Sequence, residues 1–291
     1  MPSLAINTSA NFVSLALLDG KNVLSELDSR FDFDLASSAS RDDGGVSGRQ
    51  AGSNDQLPAG YTKKRSKRGQ ATRRVFPPGA SVMLAPMLQR LFEQHQLQAS
   101  DLDLICLCNG PGMFTGLRVG VVTAKTLAYA GKIDLVAVDA LDAIAAQTFA
   151  ALPEAAEANL HVAINAQRQQ LFAAQFRHRG PWKIEKHVPD QIVGHSQFVE
   201  GLKPNDFVAG AGLRPLVETI AATEPEVTIT APENWDLSAV TVGQVGSAMY
   251  ADGHRDDFWK VEPLYFRPSA AEELRLKGPK TSKGPKTSPL N

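Results

Sequence analysis

The stretch that most restricts the fold runs from residue 102 to residue 131. An apolar run over 102–108 reads as a buried strand, passes into Asn109-Gly110-Pro111-Gly112, and leads to an apolar helix over 115–130 that ends near Gly131. A strand feeding a helix through a glycine turn is a building unit of α/β folds. At the start of such a helix, free backbone N–H groups and the helix dipole favour an anion. Gly110, Gly112, Thr115 and Arg118 are therefore candidates for a phosphate or nucleotide loop. A tight turn also requires glycines on steric grounds alone, and the residues by themselves favour that reading. No Gly-Lys-Ser/Thr follows, so the loop is not a Walker loop, and its spacing is not the dinucleotide fingerprint.

The same helix carries Gly116, Gly120, Ala124 and Ala128 at intervals of four. Such a stripe lets another element approach closely. That element is either the chain's own sheet or a partner subunit, and spacing does not separate the two. A second helix is expected over 81–96, with Met83, Leu84, Met87, Leu88, Leu91 and Phe92 at helical spacing and Pro86 either starting it or kinking it.

Around these elements the pattern alternates. Residues 4–8, 12–18 and 22–26 read as a three-stranded meander with a turn at Asp19-Gly20. Strand 135–138 and helix 142–149 follow, then a second meander over 160–166, 171–176 and 182–188, a strand at 207–211, a helix over 240–252 and an extended segment at 263–267. A meander followed by helices and strands, twice, implies an α/β protein of two similar halves. The expected division is 1–142 and 143–268, with 240–268 packing back on the first half. Two segments stand apart. Residues 27–76 are polar, first acidic and then basic (Lys63 to Arg74), and read as a disordered insertion. The basic cluster reads as a solvated linker ahead of a tRNA-phosphate contact. Residues 269–291 repeat Lys-Gly-Pro-Lys-Thr-Ser and read as a basic tail.

The chain has 291 residues and a formal net charge of −1. Bulk charge therefore gives no warrant for nucleic-acid or membrane binding. No apolar stretch reaches the ~18 residues of a membrane helix, and the N-terminus lacks a basic region before its apolar run. A cytoplasmic protein without membrane partners is expected. The two cysteines exclude a disulfide scaffold and a four-thiolate zinc site. Cys106 and Cys108 are expected on opposite faces of their strand, as buried thiols that cannot pair.

The run Gly110-Pro111-Gly112-Met113-Phe114-Thr115-Gly116-Leu117-Arg118-Val119-Gly120, followed by Ala124-Lys125, resembles the signature of the TsaB family, the glycoprotease-like proteins of bacterial tRNA threonylcarbamoyladenosine synthesis. Leu4 to Ser9 with Val13 to Leu18 is similar to that family's first hairpin. Val162 to Arg168 with Leu171 to Ala174 is similar to its second. Ala209-Gly210-Ala211-Gly212 and Pro263-Leu264-Tyr265-Phe266-Arg267 match later landmarks. The resemblance implies an actin-like ATPase fold of two duplicated subdomains, with mixed sheets flanked by helices. It also implies a non-catalytic role beside a TsaD-like subunit, which transfers a threonylcarbamoyl group to adenosine 37 of tRNA. A TsaE-like ATPase is a further candidate partner, tRNA is reached through the complex, and a homodimer is the alternative assembly. The implied partner surface is the helix pair 81–96 and 115–130, with Leu84, Leu88, Leu91, Gly116, Leu117, Gly120, Ala124 and Ala128. On that reading, Gly120→Leu breaks the complex without unfolding the chain.

Actin-like enzymes place Asp at the ends of their first strands to handle magnesium. This chain has Asn7, followed by Thr8, and Asn165. An amide is no general base and a poor magnesium ligand. The resemblance thus implies no catalytic residue, no magnesium and no required cofactor, with ATP or ADP a weak candidate for the Asn7, Thr8 and Gly112 loop. His95, His161, His178, His187, His195 and His254 include no His-x-x-x-His pair, so no metal site is expected. Ser9 follows a strand, but no His can be placed beside it. Arg118 is expected to face a partner or a phosphate, and Lys125 either a partner or solvent. The rival readings are a stand-alone actin-like ATPase or transferase that uses the glycine loop, and a homodimeric regulatory module.

Overall fold

A computed structural model describes residues 1–31, 79–152, 158–180 and 182–266. The basic cluster at 63–74, most of the expected insertion and the 269–291 tail lie outside the described residues. The first half begins with a meander of β1 (Pro2–Asn7), β2 (Ser14–Asp19) and β3 (Asn22–Asp28). Helix α1 (Ala80–His95), β4 (Leu104–Gly110), α2 (Phe114–Gly131), β5 (Asp134–Asp139) and α3 (Ala140–Ala151) complete it. The second meander is β6 (Leu160–Asn165), β7 (Gln170–Gly180) and β8 (Lys183–Gly194). Then come α4 (His195–Glu200), β9 (Phe207–Ala209), α5 (Val217–Thr223), β10 (Thr228–Ile229) and α6 (Ala239–Ala251).

The two sheets repeat one topology. The first runs β3-β2-β1-β4-β5, the second β10-β9-β6-β7-β8. Each has two antiparallel pairs in its meander and two parallel pairs beyond it. Thus β6 corresponds to β1, β7 to β2, β8 to β3, β9 to β4 and β10 to β5.

Alternation along the strands sorts the apolar side chains into three cores. Leu4, Ile6, Ile105 and Leu107 meet α1 and α2 on the outer side of the first sheet. Ala5, Cys106, Val162 and Phe176 meet α3 and α6 between the sheets. Ala163, Leu171, Phe198 and Ile220 fill the outer side of the second sheet. The order is helices, sheet, helices, sheet, helices. Each fully buried Leu, Ile or Phe contributes roughly 1.5–3 kcal/mol, so each sheet is held from both faces.

Several expectations change. Leu27 and Asp28 belong to β3 rather than to the insertion. Leu27 is buried, and Arg30 binds Asp28 at 2.7 Å and Asp236 at 2.9 Å, with its guanidinium 3.8 Å above the Phe12 ring. Burial and ion pairing therefore order the chain at least as far as Phe31. Cys106 and Cys108 point to one face, not two, because residues two apart on a strand share a side. Both are in the core between the sheets. Burial pushes their thiols up to about 12 and about 11. Pro86 lies inside α1 rather than at its start. The elements α4, α5 and β10, of 6, 7 and 2 residues, are too short to show a period in the sequence.

Candidate functional site

The glycine loop packs against the end of β1. A Cβ on Gly112 would lie 2.2 Å from the Ser9 carbonyl oxygen, one on Gly116 2.1 Å from that of Thr8, and one on Gly120 2.3 Å from Thr8 Oγ1. Met113 N donates to Ser9 O at 2.7 Å. The chain's own backbone, Thr8–Ser9, thus occupies the approach to the start of α2, and the glycines are there to admit it. Thr8 is fully buried, and its Oγ1 has no hydrogen-bond partner among the described residues. Thr115 is exposed at the first turn of α2.

Asn7 is fully engaged. Its Nδ2 donates to Leu237 O at 2.7 Å, and its Oδ1 accepts from Ser9 N at 3.0 Å and Ser9 Oγ at 2.7 Å. The site needs a donor and an acceptor on one buried side chain, which an amide supplies and a carboxylate does not. Asn165, its counterpart in the second half, is exposed and accepts from Gln167 N at 2.7 Å.

The implied partner surface needs correction. Leu84, Leu88, Leu91, Ala124 and Ala128 are buried in the outer core of the first sheet, and Leu117 is buried beside Gly110. Gly116 is buried against Thr8 O, and Gly120 against Thr8 Oγ1. The small-residue stripe faces the chain's own sheet, and a docked subunit cannot reach it without opening the core. Gly120→Leu therefore damages the fold itself.

What α2 does present outward is Phe114, Val122 and Tyr129, with Met113 just before it. Val122 and Tyr129 are each 64% exposed. A strap formed by residues 257–265 runs beside them. Lys125 Nζ donates to Trp259 O at 3.0 Å and Val261 O at 3.2 Å. Arg118 Nε donates to Tyr265 Oη at 2.9 Å, its guanidinium 3.9 Å from the Phe114 ring centre. Leu264 N donates to Asn109 O at 2.8 Å. Arg118 is thus held by two aromatic rings, and the two cations of α2 fasten the strap. The result is an outer face that carries Phe114, Val122, Tyr129, Trp259 and Tyr265, with Arg118, Lys125 and Thr126 among them.

A polar cluster that sequence reading missed lies between the halves. Lys186 Nζ is 3.3 Å from Asp139, 2.7 Å from Asp142 and 2.6 Å from Asp190. Asp139 Oδ1 also caps α3, accepting from Leu141 N at 2.7 Å. Burial first, then the neighbouring Asp142, pushes the Asp139 carboxyl up to about 8. The three acids raise the Lys186 pKa against the opposing effect of burial. The lysine occupies the centre that a cation would need. Asp139 before a helix start, with Asp142 three residues on, was the available signal.

Residues 79–209 match the family model of TsaD, the tRNA N6-adenosine threonylcarbamoyltransferases. The chain is 32% identical over 126 residues to the tRNA threonylcarbamoyladenosine biosynthesis protein TsaB of Bacillus subtilis, covering 43% of this chain and 52% of that protein. It is 23% identical over 194 residues to the TsaB protein of Haemophilus influenzae, covering 63% of this chain and 78% of that one. The match thus spans about half the length of the Bacillus relative. Among solved structures, an uncharacterized Pseudomonas aeruginosa protein with similarity to peptidase YeaZ superposes with a TM-score of 0.62 at 19% identity, covering 91% of this chain and 99% of that one. The chain is thus similar to TsaB proteins over part of its length, and its two sheets of one repeated topology share the fold of the Pseudomonas structure. No helix among the described residues is long and apolar enough to cross a membrane.

Proposed function

We propose that this chain acts in tRNA threonylcarbamoyladenosine biosynthesis, the process for which its TsaB relatives are named. Its role in this reading is that of a non-catalytic subunit that docks on a TsaD-like transferase and holds it in a competent arrangement. The observation that carries the reading is the outer face of α2: five exposed apolar or aromatic side chains along a helix and its strap, Phe114 packed on Tyr265 and Tyr129 on Trp259. Patches of this kind mark protein interfaces, and aromatic residues dominate their energetics.

The chemistry of the first strand supports a non-catalytic role. Asn7 spends both functions of its amide on the chain's own groups, and Asn165 can ionise no more than Asn7 can. The subunit then needs no nucleotide or metal of its own. A TsaE-like ATPase joins through the complex, and tRNA meets the transferase rather than this chain. The protein works in the cytoplasm, where tRNA is modified.

Size-exclusion chromatography with light scattering, on the chain mixed with the TsaD-like subunit of the same cell, tests the proposal. A one-to-one complex is expected. Two separate peaks would remove it, and a homodimer that refuses the transferase would favour a regulatory module instead.

A further inference from the structure

The two halves cover the outer faces of their meanders differently. Over the first sheet lies α1, 16 residues long, which packs Met83, Leu84, Met87 and Leu91 into the core. In the second half the corresponding place is taken by α4, only 6 residues long, while β7 and β8 have 11 and 12 residues against 6 and 7 for β2 and β3. A shorter helix over longer strands leaves space. The β7–β8 register also slips between Ala173 and Gln175, and such bulges open or re-aim a sheet surface. The outcome is a half-open cavity of about 240 Å³.

Its lining carries no formally charged side chain. Gln175, Gln191 and Gln197 supply three carboxamides, Phe198 and Val193 supply apolar walls, and His161 completes it. His161 is 5% exposed, and its Nε2 is 2.8 Å from Asp206 Oδ2. Asp206 is itself 3% exposed and accepts from Lys203 N at 3.0 Å through the same oxygen. A carboxylate can only accept, so Nε2 carries the proton and Nδ1 keeps its lone pair. No hydrogen bond to Nδ1 is made among the described residues. Burial holds the ring neutral, against the pull of Asp206, with His187 and Lys203 adding weaker repulsion. The ring Nδ1 thus stands ready to accept from a donor in a cavity that also holds three carboxamides, which both donate and accept.

We infer that this cavity is a binding site for an uncharged planar heterocycle of nucleobase size, seated against Phe198, donating a hydrogen bond to His161 Nδ1 and meeting the glutamine amides along its edge. Glutamine pairs well with a base edge that offers a donor beside an acceptor. Aromatic side chains stack on bases of any sequence. An anion finds no cation in the lining. The site is on the sheet face opposite to the Asp139–Lys186 cluster and separate from α2, and it does not depend on the role proposed for that helix.

Adenine is the probe. Imidazole nitrogen NMR of the full chain, with the His161 signals assigned through His161→Gln, follows the ring directly. The signals are expected to shift saturably with adenine and to stay unmoved by sulfate. Gln191→Leu, at an exposed rim position where folding is not at risk, should weaken binding about tenfold, the effect of one lost hydrogen bond. Three results would overturn the site: no saturable shift up to the solubility of adenine, an unchanged affinity in Gln191→Leu, or an equal response to sulfate.

Discussion

The two halves of this molecule share a strand order yet use the ends of their first strands in opposite ways. In the first half, Asn7 is buried, its amide bound on both sides, and three glycines of α2 and its loop close over Thr8 and Ser9. In the second half, Asn165 is exposed beside a turn whose Gln167, Arg168 and Gln169 all have positive φ. Gly210 and Gly212 still close on Ala163, two residues before Asn165. Duplication therefore preserved the packing device and not the surface it creates. The first half became a sealed support for α2, and the second kept an open turn and a cavity.

Packing gives the sharpest contrast. Gly116→Leu should cost more than about 3 kcal/mol, or yield no folded chain, because its side chain must displace the Thr8 carbonyl. Gly194→Ala, with open space around its Cβ, should stay within about 0.5 kcal/mol. Urea denaturation midpoints compare the two directly. A folded, stable Gly116→Leu variant would show that Thr8 can yield.

The paired asparagines should come next. Asn7→Asp loses the donor to Leu237 O and aims a carboxylate at that carbonyl, at a cost of about 3 kcal/mol. Asn165→Asp keeps its acceptor in water and should change stability by less than about 0.5 kcal/mol. Equal losses at both positions would erase the distinction between sealed and open ends.

Between the halves, Asp139 sets a pH dependence. Its ordinary value is 3.8, and in the fold it is pushed up to about 8. Across that window the folded chain holds a proton that the unfolded chain releases. Stability from this group is thus full below the lower value and is lost as pH rises through the upper one. Asp139→Asn keeps an oxygen to cap α3 and should flatten the decline in the urea midpoint between pH 5 and pH 8. An unchanged slope would place the proton elsewhere in the cluster.

The smallest effect concerns Cys106 and Cys108. Their thiols, at about 12 and about 11, are almost wholly protonated at neutral pH and buried. Labelling by a thiol reagent should proceed only at the rate of unfolding, and fast labelling of the native chain would contradict their burial.

Much of this was legible before the structure. Both meanders, the strand–glycine–helix unit and the duplicated layout follow from alternation and helical spacing, which depend on local sequence alone. The small-residue stripe on α2 was legible as a close approach but not as to what approached, because periodicity names a face and not its neighbour. The Lys186 cluster joins residues up to 51 apart along the chain, a distance set by the packing of α3 on β8. The cavity under α4 depends on a helix too short to show a period.

The most direct test of the role proposed for α2 is a single exposed position. Val122 is 64% exposed, so Val122→Glu should leave the fold and its urea midpoint intact. Light scattering of each form mixed with the TsaD-like subunit then gives the answer. A one-to-one complex with the original chain and two separate species with Val122→Glu is the expected result. A complex of unchanged mass and affinity with Val122→Glu would contradict docking through this face.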